Sequence, residues 1–125
     1  MTTSSSTPPR LLLVDDEEEF TTALGKVLRR RGLQVSVASG GAAALEALGA
    51  NAFDVVLLDV QMPGMDGTEL LGRIQERAPR TQVILMTGHL RSDADPPGVF
   101  ASVLKPHPLP DLLRLIDEAT GRARA

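Results

Sequence analysis

Apolar residues along the chain form short continuous runs, which alternate with stretches where apolar residues recur at helical spacing. Runs without polar alternation are typical of strands that are covered on both faces of a parallel sheet. Three such runs lie at 10–14, 55–58 and 83–86, and two further candidate strands lie at 33–38 and 102–104. The pattern therefore predicts five strands.

The stretches between these runs predict helices. In the first helix Phe20, Leu24 and Leu28 share one face, and Gly32 is placed to stop the helix in the left-handed conformation. The later helices are predicted at 42–48, closed by Gly49; around Leu70, Leu71 and Ile74, ended by Pro79; and from Pro110, burying Leu112, Ile116, Ala119 and Ala123.

The segment 88–101 departs from this regular alternation, because Pro96-Pro97 would break a helix running through it. Elsewhere strands and helices alternate with short connections, which is typical of an α/β fold. We therefore predict a five-stranded parallel sheet with helices on both faces and an irregular or shortened fourth helix.

Composition narrows the class of protein further. The 125 residues predict one domain at 10–123, preceded by a flexible polar tail at 1–9. A net charge of −3 gives no general attraction to nucleic acid or to an anionic membrane, so neither is expected as a partner. The chain has no cysteine, which excludes disulfides and thiolate metal sites and agrees with a cytoplasmic location.

Polar residues with chemical potential follow the predicted strands. Asp15-Asp16, Asp59, Thr87 and Lys105 each stand at the carboxyl end of a strand. These ends share one edge of a parallel sheet, so the side chains are expected to converge there. Clustered carboxylates repel one another unless a cation neutralises them, and an all-oxygen ligand set favours a hard ion such as Mg²⁺. A lysine and a hydroxyl beside them suit a phosphoryl group, for which Asp59 is the candidate acceptor.

Four motifs in order along the chain carry a family resemblance: Asp15-Asp16, "LLDVQMPGMDG", "ILMTG" and "LKP". Together they resemble the receiver domain of two-component response regulators, of the chemotaxis-type single-domain kind. The resemblance implies a flavodoxin-like sheet with strand order 2-1-3-4-5. It also implies phosphorylation by a sensor histidine kinase or a phosphotransfer protein, output by protein contact, and a monomer or weak dimer.

The resemblance further implies roles in metal binding. Asp59 receives the phosphoryl group, and Asp16 and Asp59 bind Mg²⁺ together with the backbone carbonyl of Gln61. Asp15 lies close to the metal ion and acts on it through a water molecule. The neighbouring residues 17–19, all glutamates, are predicted as surface residues that face the amino end of the first helix.

The remaining implied roles concern the phosphoryl group. Thr87 donates a hydrogen bond to it and Lys105 pairs with it. Gln61 and His89 lie two residues beyond Asp59 and Thr87, where they tune the access of water to the phosphoryl group.

The sequence departs from the family pattern at the switch position. The aromatic residue that usually stands three residues before the lysine is replaced by Ser102. A readout through an aromatic rotamer is therefore not expected, and we predict that the 88–101 segment carries the coupling instead.

Two other classes of protein are alternatives to a phosphoacceptor. A phosphorylation-independent interaction module fits the altered switch position but predicts losses in the acidic pocket, which the sequence does not have. A haloacid-dehalogenase-like phosphatase needs a second acid two residues after Asp59, where Gln61 stands. The sequence thus predicts a signalling domain rather than an enzyme.

Overall fold

The structure, a computed structural model, describes residues 8–60, 67–87, 98–104 and 108–121. Strands and helices alternate through residues 10–87, and a strand and a helix follow at 101–104 and 109–120. The elements are β1 (Arg10–Val14), α1 (Glu18–Arg30), β2 (Gln34–Ala38), α2 (Gly41–Ala50), β3 (Val55–Asp59), α3 (Gly67–Arg77), β4 (Gln82–Thr87), β5 (Ala101–Leu104) and α4 (Leu109–Thr120).

The five strands form one parallel sheet in the order β2-β1-β3-β4-β5. All five residues of β3 are buried, and so are the last four of β1. The strand order changes direction beside β1 and β3, and in open α/β sheets ligands bind at the carboxyl ends of strands next to such a point. The predicted fold class and strand order are confirmed.

Alternate residues of each strand point to opposite faces of the sheet, and helices cover both faces. On one face Leu12, Val56 and Leu58 pack with α2 and α3. On the other face Leu13 and Leu57 pack with α1 and α4. This double cover explains why the strands appear in the sequence as unbroken apolar runs.

The observed helix ends agree with the sequence prediction in two places and differ from it in one. Gly32 (φ 92°) follows α1 in the left-handed conformation, as predicted, and α4 has proline in its first turn. The predicted end of α2 at Gly49 is wrong, because the helix continues to Ala50 and the Asn51 N–H donates to the Ala47 carbonyl. A single glycine lowers helix stability without ending the helix.

Several sequence predictions lie outside the described residues. They are the conformation of the tail at 1–7, the irregular fourth helix with Pro96-Pro97, and the burial of Ala123. α4 ends at Thr120, and Gly121 (φ 80°) caps it in the left-handed conformation. Among the helices of the described residues, none is long and apolar enough to cross a membrane.

Candidate functional site

Asp59 lies at the carboxyl end of the central strand. It is the last residue of β3, and only 4% of its surface is exposed. Its register partner on β4 is Met86, and the following residue, Val60, donates its N–H to the Met86 carbonyl at 3.1 Å. Because β3 is paired on both sides, the backbone that carries this carboxylate is held firmly in the sheet.

Asp15 lies beside Asp59 at the same edge of the sheet. The residues just before them, Val14 and Leu58, are register partners in β1 and β3. Asp15 is 1% exposed, and its N–H donates to the Ala38 carbonyl at 3.1 Å. Two carboxylates are thus buried side by side at the carboxyl ends of adjacent strands, where a cation or hydrogen-bond donors would stabilise their charges.

Glu17 completes a cluster of three acids with Asp15 and Asp59. Each of these side chains offers an oxygen that lies within 4.8 Å of the other two. Asp16, which the resemblance assigns as a metal ligand, is exposed and does not belong to this cluster. Glu17 is exposed, as the sequence predicted, but its proximity to the pair was missed.

A turn between β1 and α1 accounts for this position. The Asp15 Oδ1 accepts the Glu17 N–H at 2.9 Å, a turn in which an aspartate bonds the backbone two residues on. Such a turn between a strand and a helix brings the second residue back toward the first. The turn is seen only in the structure, because the sequence alone does not show which of the neighbouring acids lies close to Asp59.

Thr87 stands at the end of β4, next to the central strand. It is half-buried, it follows the register partner of Asp59, and it pairs with Leu104 on β5. Lys105 follows Leu104 directly but lies outside the described residues. Ser102 is half-buried opposite Leu85, two pairs farther from this edge of the sheet than Leu104.

Gln61, with its backbone carbonyl, and His89 also lie outside the described residues, so the roles assigned to them stay predictions. The two ends of the loop that contains Gln61 are described, and they touch. A Cβ atom on Gly67 would lie 2.8 Å from both the carbonyl oxygen and the Cβ of Val60. Only glycine allows α3 to begin this close to the residue after Asp59.

The donors of the described site suit a hard divalent cation. All three are carboxylates, and the chain has no cysteine that would select a softer metal. Asp59 is the most central of the three, because it ends the middle strand between β1 and β4. The arrangement can hold a cation and present one fixed carboxylate oxygen as a nucleophile.

Comparison with known proteins places the chain in a family. A family model described as the response regulator receiver domain matches residues 11–117. The chain is 38% identical over 100 residues to the DNA-binding transcriptional regulator NtrC of Escherichia coli strain K12, covering 77% of this chain and 21% of NtrC. It thus spans about a fifth of that relative's length. It is also 35% identical over 97 residues to the response regulator receiver protein CpdR of Brucella abortus, covering 74% of this chain and 81% of CpdR.

Solved structures agree with this placement. TrrA of Thermotoga maritima, crystallised in complex with Mg²⁺ and BeF, matches with a TM-score of 0.80 and 29% identity over 89% of this chain and 98% of TrrA. TrrA in complex with the histidine kinase ThkA matches with a TM-score of 0.78 and 27% identity, over 89% of this chain and 97% of that one. With its sheet order, its acidic edge and a family match over most of its length, the chain belongs to the response regulator receiver domain family.

Proposed function

We propose that the chain is a phosphoacceptor of a two-component or phosphorelay system and that Asp59 is the residue that receives the phosphoryl group. One observation carries this proposal: a buried carboxylate ends the central strand of the sheet beside a second buried acid, and the Thr87 strand end lies next to it. A phosphorylation-independent module would have no use for this costly arrangement of like charges.

The phosphoryl group comes from a histidine side chain of the donor protein. An Asp59 carboxylate oxygen forms a bond to phosphorus while the bond from phosphorus to the donor's imidazole nitrogen breaks. The electron pair of the broken bond stays on that nitrogen. The Thr87 hydroxyl then donates a hydrogen bond to a phosphoryl oxygen, and Lys105 pairs with the added negative charge. Gln61 and His89 tune the access of water to the product.

Magnesium is the proposed cofactor. When bound, it supplies positive charge that offsets the carboxylates and the incoming phosphoryl oxygens. Asp15 and Asp59 are the described residues that would hold it, with Asp16 and the backbone carbonyl of Gln61 as further candidates. The all-carboxylate donor set supports this choice, as does the capture of TrrA with Mg²⁺ and BeF.

The proposed phosphodonor is a sensor histidine kinase or a phosphotransfer protein, in line with the ThkA complex of TrrA. We further propose a cytoplasmic domain at 10–123 that signals by protein contact as a monomer or weak dimer and catalyses no reaction on other substrates. The DNA binding of NtrC is not carried over, since only a fifth of that protein is aligned.

Intact-mass measurement after incubation with a small phosphodonor and Mg²⁺ tests the proposal. The parent chain should gain the mass of one phosphoryl group, and Asp59→Asn should gain none. Asp111→Asn, a matched change on α4 away from the site, should behave like the parent. Phosphate found on Asp15, Asp16 or a histidine would overturn the assignment of Asp59.

A further inference from the structure

We propose that the open edge of β2 is an interaction surface for a second copy of this chain, and that the Arg29 side chain on α1 competes with the partner for this edge. Strand β2 lies at one end of the sheet, and within the described residues it pairs with β1 alone. The surface includes neither Asp59 nor the acids beside it, so the proposal stands independently of phosphorylation.

The first observation concerns the direction of the backbone groups of β2. The Gln34 N–H donates to the Pro9 carbonyl at 2.9 Å, so the backbone groups of Gln34 face β1. The same holds for every second residue along the strand, and the N–H and C=O groups of Val35 and Val37 therefore point away from β1. Such a row of outward backbone groups is a template to which another strand can add.

The second observation is that the residues of β2 do not protect this edge themselves. Edge strands of natural proteins commonly carry a charged residue or a proline that opposes strand addition. The strand Gln34–Ala38 has neither, and most of its residues are exposed. Val37, an apolar β-branched residue, is 46% exposed. The strand thus offers an uncharged surface of high β propensity to an incoming strand.

The third observation is that a side chain of α1 covers part of the edge. The Arg29 Nη2 donates a hydrogen bond to the Val35 carbonyl at 3.1 Å, and this carbonyl is one of the outward groups. A Cβ atom on Gly25, one turn earlier in α1, would lie 3.3 Å from the Arg29 Nη1, so the glycine leaves room for the guanidinium. A strand that adds to the edge needs the Val35 carbonyl as an acceptor. Arg29 therefore competes with it.

The strand that fits this edge is a second copy of β2. Two copies that run antiparallel about a two-fold axis at Ser36 pair Val35 of each chain with Val37 of the other. In this register the paired residues exchange both of their N–H and C=O bonds, so every outward group of Val35 and Val37 has a partner. Their side chains also form cross-strand pairs of β-branched residues. The edge is thus complementary to itself, as a symmetric dimer requires.

Sedimentation equilibrium of the full, unphosphorylated chain tests the proposal. Arg29→Ala frees the Val35 carbonyl in each copy, so we expect the dissociation constant of the dimer to fall about tenfold or more relative to the parent. Arg30→Ala is the matched control, because it removes the same charge from the next residue, which is exposed. It should change the dissociation constant by less than about threefold. Equal effects of the two variants, or an Arg29→Ala variant that stays monomeric at every concentration, would overturn the proposal.

Amide hydrogen exchange measured by NMR identifies the surface that associates. In dilute Arg29→Ala, the N–H groups of Val35 and Val37 should exchange fast, whereas those of Gln34 and Ser36 should be protected by their bonds to β1. At concentrations where the dimer forms, Val35 and Val37 should become protected as well. Association without this protection would mean that the copies meet through another surface, and the proposal would be wrong.

A second substitution in the Arg29→Ala background tests the edge directly. Val37→Lys places a charge on the edge of the sheet, which opposes strand addition. The position is exposed, so the fold should accept lysine, and thermal unfolding checks this. The dissociation constant should return to the parent value or rise above it. A folded double variant that still associates as tightly as Arg29→Ala would show that β2 is not the contact.

Discussion

Charged side chains are arranged differently at the two ends of the sheet. At the amino ends of the strands, the Arg10 backbone N–H donates to the Asp54 carboxylate at 2.8 Å, and the Arg10 guanidinium donates to the Asn51 side-chain oxygen at 3.2 Å. The same guanidinium lies 5.7 Å from the centre of the Phe53 ring. Every charge in this group has a complementary neighbour, and the acid involved, Asp54, is exposed to water.

At the carboxyl ends, five residues along from Asp54, the chain collects like charges instead. Asp59 and Asp15 are both buried, and Glu17 lies beside them. We expect such a grouping to lower the stability of the metal-free fold, because repulsion between like charges adds to the cost of burial. The contrast teaches that complementary neighbours stabilise one end of the sheet, whereas the other end collects the acids that we propose bind a cation and a phosphoryl group.

The strongest test of this contrast is a pair of matched changes, Asp15→Asn and Asp54→Asn. Both remove one carboxylate charge from a position next to the sheet. We expect Asp15→Asn to reduce phosphorylation by at least about tenfold, as loss of a group near a metal commonly does. The asparagine oxygen can still accept the Glu17 N–H, so the turn is kept. Intact mass over time after addition of the phosphodonor measures the effect.

The two substitutions should also differ in their effect on the free energy of unfolding. Without metal, Asp15→Asn should leave the free energy of unfolding unchanged or raise it, since repulsion is relieved. Asp54→Asn should lower it by up to about 1 kcal/mol while phosphorylation stays at the parent level. Urea unfolding followed by circular dichroism gives both values. A loss of stability in Asp15→Asn would show that this acid is structural and would break the contrast.

A second test concerns the backbone that closes the site. Gly67→Ala forces a Cβ against the carbonyl of Val60, so we expect a loss of about 1–3 kcal/mol in unfolding free energy, as overpacking typically costs. Phosphorylation should slow as well, because the loop next to Asp59 must shift.

Gly72→Ala is the control for Gly67→Ala within the same helix. A Cβ there meets nothing within 4 Å, and the position is exposed. Alanine should therefore stabilise α3 by about 0.5–1 kcal/mol and leave phosphorylation unchanged. If the two variants had the same stability, the close approach of α3 to Val60 would not be needed.

A smaller loss of stability than for Gly67→Ala is expected at the amino ends of the strands. The Thr81 hydroxyl donates to the Phe53 carbonyl at 2.7 Å in a half-buried setting. Thr81→Val removes this bond at nearly constant volume and should cost about 1 kcal/mol of unfolding free energy. Thr22→Val, at an exposed position on α1, should cost clearly less in the same urea experiment, and phosphorylation should be normal in both variants.

The sequence predicted most of the fold because the signals were local and repeated. Unbroken apolar runs at 10–14, 55–58 and 83–86 reported strands with both faces covered, and the structure places them side by side in the sheet. The end of α2 was wrong because a helix tolerates one glycine when the next turn still makes its hydrogen bonds. Local preference at Gly49 was too weak to outweigh that bonding.

Within the site, the strand-end position of Asp59 followed from the pattern 55–58, since a polar residue after a buried strand must emerge at the edge of the sheet. The sequence did not show which of residues 15, 16 and 17 lie beside Asp59. That depends on the turn between β1 and α1, where a 2.9 Å bond places residue 17 near the carboxylate pair and the side chain of residue 16 in solvent. Neighbouring acids carry the same charge, so the sequence does not show which of their side chains point toward Asp59. The backbone geometry of the turn and the strand pairing that brings β3 against β1 set these directions.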